Sequence, residues 1–191
     1  MSGGQAIGAA LWEMLGPAIP ADLAGKRVFD LAPPGDPDRV AGELEGRGAE
    51  ALVRGALDAE WEKAGYDLVV CRDVIQRDPH PANLLTRLWG VLTEGGTLLL
   101  HCPVMTEPEK SQYARFVAAD AGTGSTEWLP GRLALRWSVE TSGFDVGGWL
   151  ATADRPQDGV AAAALVATRT TRLPSLMLAT PTGPEVAGGR G

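Results

Sequence analysis

The chain has 191 residues, 24 acidic against 17 basic, for a formal charge of −7. That length supports one domain with a proper core, and a surface of that sign repels phosphate backbones, which sets nucleic acid aside as a partner. No apolar run approaches the ~20 residues that a bilayer demands, and the first residues lack the basic start and hydrophobic block of a secretion signal. A membrane partner is therefore not expected, and a cytoplasmic location is.

In chain order, Gln5 to Leu15 sets Ile7, Ala10, Leu11 and Met14 on one side of a short helix, which Gly16, Pro17 and Pro20 end. Lys26 to Leu31 is the first predicted strand. The turn that follows, Ala32-Pro33-Pro34-Gly35-Asp36-Pro37, is crowded with proline, which has a fixed φ and no amide hydrogen. Asp38 to Gly46 predicts a helix stopped at Gly46 or Gly48, and Ala49 to Arg54 the next strand.

Asp67 to Cys71 is an apolar run with the length and composition of a fully buried parallel strand. Pro79 and Pro81 then break the backbone. From Asn83 onward Leu84, Leu85, Leu88, Val91 and Leu92 recur at helical spacing. Glu94-Gly95-Gly96 is expected to stop that helix, and Thr97 to His101 to form a second buried strand. Strand, helix and strand make a βαβ unit with a right-handed crossover. Cys71 and Cys102 each fall in a predicted strand and read as small apolar core residues in a reducing compartment. With His80 and His101 as the chain's two histidines, no histidine-rich metal site is expected.

Arg132 to Ser142 predicts the last helix, capped by Gly143. Asp145 to Ala153 and Val160 to Thr168 read as a closing antiparallel pair. Beyond Arg172 the composition turns to Pro, Thr and Gly. Residues 1–172 are thus expected to form a single domain and 173–191 a flexible tail, unless Leu173, Leu176, Met177 and Leu178 dock on a partner.

The stretch from Tyr66 to Val104, YDLVVCRDVIQRDPHPANLLTRLWGVLTEGGTLLLHCPV, resembles the second half of the class I S-adenosylmethionine (SAM) methyltransferases. Asp67, Val69, Val70, Asp73, Val74, Pro79, Leu85, Val91, Leu92, Gly95, Gly96, Leu98, Leu100 and Pro103 fall in step with the family pattern. The resemblance implies an α/β fold, a Rossmann-like methyltransferase sandwich. Its mostly parallel sheet is shortened to about six strands and ends in an antiparallel pair. By the same resemblance Asp30, Asp58 and Asp73 stand at cofactor-binding positions, although Asp58 reads equally as the N-cap of a helix over Ala59 to Ala64. Where the family has three glycines to admit the cofactor, this chain has Ala32, Pro34 and Asp36. The span from Asp30 to Tyr66 is also too short for two full αβ repeats, so one strand–helix unit and its ribose-binding acid are missing.

Glu107 to Phe144 resembles the subgroup that contains the tRNA uridine carboxymethyltransferases and many small-molecule methyltransferases, on Tyr113-Ala-Arg115-Phe116 and on Trp128-Leu-Pro130. That resemblance lays the segment over the active site. It makes His80, Tyr113 and Arg115 the catalytic candidates, and offers Trp128 and Arg132 to a substrate or a partner. Against those roles stand plainer ones: His80 as a solvated loop residue, Arg115 braced on Asp120, Trp128 and Phe116 as packing. The reading that results is a non-catalytic or regulatory subunit that pairs with and stabilises an active small-molecule methyltransferase, or self-pairs as a homodimer. No cofactor is expected on the chain alone. The alternatives are an active minimal methyltransferase that binds SAM and a small-molecule substrate, and a cofactor-free cyclase or lyase.

Overall fold

The structure, a computed structural model, describes residues 12–33, 39–55, 60–118, 126–152 and 159–174. Six strands form one sheet in the order β2-β1-β3-β4-β8-β7. β1 (Arg27–Leu31), β2 (Ala51–Gly55), β3 (Tyr66–Arg72) and β4 (Leu92–Met105) run parallel. β8 (Val160–Arg169) lies antiparallel between β4 and β7 (Phe144–Thr152). This is the shortened, mostly parallel sheet with an antiparallel end that the sequence leads one to expect.

The period of two along each strand sorts the core into two layers. Phe29, Leu31, Val69, Cys71, Leu98 and Leu100 face one side, against Leu84, Leu85 and Leu88 of α2 (Pro81–Val91) and Leu135 and Val139 of α3 (Arg132–Thr141). Val28, Leu68, Val70 and Leu99 face the other, against Leu15, Ile19 and Leu23 and against Val40 and Leu44 of α1 (Arg39–Gly46). A sheet covered on both faces needs strands that are apolar throughout, which is why β3 and β4 read as runs rather than alternations. Both cysteines are free and buried in the first layer, and burial pushes both thiols well above their ordinary value.

The second helix departs from expectation at both ends. α2 begins at Pro81, whose fixed φ and missing amide suit the first helical position. It ends at Val91, because Leu92 is already extended and paired with Tyr66 of β3. Leu92 is fully buried in the core, and drawing it into the sheet ends the helix before the glycines are reached. Gly95, at φ 75°, instead serves the irregularity between the Tyr66–Leu92 and Leu68–Thr97 pairings. Of the N-terminal helix, residues 12–15 are described and helical, while residues 5–11 lie outside the described part. Gly143 closes α3 as predicted.

β5 (Ala114–Ala118) and β6 (Thr126–Pro130) form a separate antiparallel ribbon that the sequence reading lacked. The ribbon is anchored through Trp128, in the core, and through Gly131, whose N–H donates to the Tyr113 carbonyl at 2.7 Å. Gly131 has an ordinary φ of −77°. The constraint on it is close approach: a Cβ there would stand 2.2 Å from the Lys110 carbonyl oxygen and 2.4 Å from that of Ser111. Gly131→Ala must therefore displace backbone. It is expected to cost about 1–3 kcal/mol, measured as a lowered urea midpoint with unchanged slope.

Candidate functional site

The carboxyl ends of the parallel strands are where open α/β sheets take ligands. In this chain the ends of β1 and β3 are closed by a buried ion pair. β1 and β3 pair with Asp30 beside Val70, so Asp30 and Arg72 project from the same face, one step apart. Arg72 Nε donates to Asp30 Oδ1 at 3.0 Å and Nη2 to Oδ2 at 2.7 Å. Both residues are 1% exposed, and Arg72 heads the largest fully buried side chains. Arg54, opposite Asp30 on β2, brings a second guanidinium from the half-exposed side, its Nε 3.8 Å from Oδ2. Sequence reasoning passed over Arg72. Its signal was an arginine at the end of a doubly buried apolar strand, which has to find an anion.

Asp73 follows at once and holds φ 52°, a left-handed conformation that aspartate tolerates better than most residues. Its backbone N–H donates to the His101 carbonyl at 3.1 Å. Its Oδ1 lies 3.2 Å from His101 Nδ1 and accepts from Gln76 Nε2 at 3.5 Å. Burial works to raise the Asp73 carboxyl. The imidazole of His101, then Gln76 and Arg77, outweigh it and hold the group below its ordinary 3.8. His101 and Gln76 are buried, and Gln76 Oε1 has no hydrogen-bond partner among the described residues. Neither residue was singled out from the sequence as a partner of Asp73. Their convergence depends on the register that sets His101 beside Arg72.

The remaining candidates stand apart from this cluster. His80 is exposed just before α2, its N–H donating to Asp78 Oδ1 at 2.6 Å. Tyr113 is 58% exposed, its hydroxyl accepting from Gln112 Nε2 at 3.1 Å. Arg115 is exposed on β5, as is Phe116, which does not pack. No hydrogen bond or ion pair among the described residues joins His80, Tyr113 or Arg115 to Asp30 or Asp73. Trp128 is buried in the core, and Arg132 stacks over the Trp149 ring at 4.6 Å. Asp58, the turn from Pro34 to Pro37, and Asp120 lie outside the described residues. Among those described, no three His, Cys, Asp or Glu side chains are disposed to hold a metal, and no helix is long and apolar enough to cross a membrane.

No protein-family model matches the chain, and no curated protein is similar to it in sequence. Solved structures are similar in fold. One is the [4+2]-cyclase SpnF, 14% identical with a TM-score of 0.60, covering 84% of this chain and 81% of the other. Another is the 1,6-didemethyltoxoflavin-N1-methyltransferase of Burkholderia thailandensis, with bound 1,6-didemethyltoxoflavin and S-adenosylhomocysteine. It is 15% identical with a TM-score of 0.60, covering 87% and 78%. A third comes from the Haloferax volcanii complex between the Trm112 methyltransferase activator and a methyltransferase. It is 14% identical with a TM-score of 0.60, covering 88% and 93%. The fold is that of the class I methyltransferases.

Two outcomes follow from this geometry. Arg72→Met leaves the buried Asp30 charge with only the half-exposed Arg54 at 3.8 Å, and is expected to destabilise by about 3–5 kcal/mol. Asp30→Leu combined with Arg72→Met should recover most of that loss, which a double-mutant cycle of urea midpoints will show. Asp73 titrates lower when folded than unfolded. Its contribution is therefore complete above about pH 4 and is lost as the pH falls through the folded value. Asp73→Asn should flatten the acid limb of the stability–pH curve, leaving the limb near neutrality unchanged.

Proposed function

We propose that this chain is a methyltransferase-fold protein that holds no methyl donor of its own and acts as the non-catalytic subunit that pairs with and stabilises an active small-molecule methyltransferase. The observation that carries the reading is the buried Asp30–Arg72 pair. A donor at the ends of β1 and β3 would meet a carboxylate already committed to two hydrogen bonds. It would also meet a guanidinium that occupies buried space. Recruiting Asp30 to a ligand would break its two hydrogen bonds from Arg72 inside the protein, a penalty of several kcal/mol. Just past β1, Pro33 offers no amide hydrogen. The residues present do not fit SAM.

Support for pairing comes from the sheet. β2 is its edge, with no further strand beside it among the described residues, and Val53 is exposed on it. An open edge strand is a template for another chain. The Haloferax volcanii neighbour comes from a complex of a methyltransferase with its activator, so proteins of this fold do work in pairs.

One observation favours a second reading, a cofactor-free enzyme acting on a small molecule. Asp73, Gln76 and His101 gather buried polar groups at the strand ends, and Gln76 Oε1 lacks a partner there. SpnF is a cyclase on a similar fold.

Calorimetry decides the donor question on the chain alone. Losing three polar contacts at about 1–3 kcal/mol each weakens binding by several orders of magnitude. No saturable heat with SAM or S-adenosylhomocysteine is expected, whereas micromolar binding would overturn the reading. Co-expression with an active methyltransferase partner should raise that enzyme's soluble yield and half-life, and the same comparison without any gain counts against the subunit role.

A further inference from the structure

We draw no further inference here: the strongest candidate, the side-chain cluster of Asp73, Gln76 and His101 at the carboxyl ends of β3 and β4, belongs to the site already described.

Discussion

A carboxylate and a guanidinium, both withdrawn from water at the ends of two neighbouring strands, set the terms for the rest of this molecule. Taking two ions out of solvent is costly, and their attraction offsets that cost only when the geometry is good. Here it is bidentate, at 3.0 and 2.7 Å. Such a pair adds little net stability over an apolar filling, but neither member can be diverted without a large penalty. It acts as a constraint. The Asp30 carboxylate at the end of β1 is held by Arg72 of β3, and Arg54 leans in from β2.

The sheet was legible because its chemistry is local. A strand buried on both faces has to be apolar at every position, so Asp67 to Cys71 and Thr97 to His101 declare themselves without any partner in view. The end of α2 was not legible. Leu92 fits the helical stripe equally well, and only its pairing with Tyr66 moves it from helix to strand. The β5–β6 ribbon escaped because its one deep anchor, Trp128, reads from sequence as a binding residue as readily as a core one. Asp30 and Asp73 were found because the family resemblance places each at a cofactor-binding position. Arg72 and His101 were missed because their meaning lies in the register between β1, β3 and β4, which no single segment contains.

The strand ends thus divide into two halves with different chemistry. Beside β1 the ion pair is complete, and its hydrogen-bonding capacity is turned inward. Beside β4, Asp73 stays ionised under the influence of His101, Gln76 and Arg77, while Gln76 Oε1 is left unpaired. A buried polar group without a partner costs about 1–3 kcal/mol. The two halves pull the functional reading in different directions, since one commits its carboxylate to an arginine while the other retains groups able to meet a ligand.

Beyond the strand ends, the remaining question is what the fold presents to the outside. Leu135 and Val139 are buried in the core, whereas Leu133 and Trp137 stay about half exposed. Polar residues at those two positions would serve α3 as well on helical propensity and better on solubility. α3 is held at its start by Ser111 and near its end by Arg172, whose Nη2 donates to the Glu140 carbonyl at 2.6 Å, so the half-exposed Leu133 and Trp137 sit on a fixed surface.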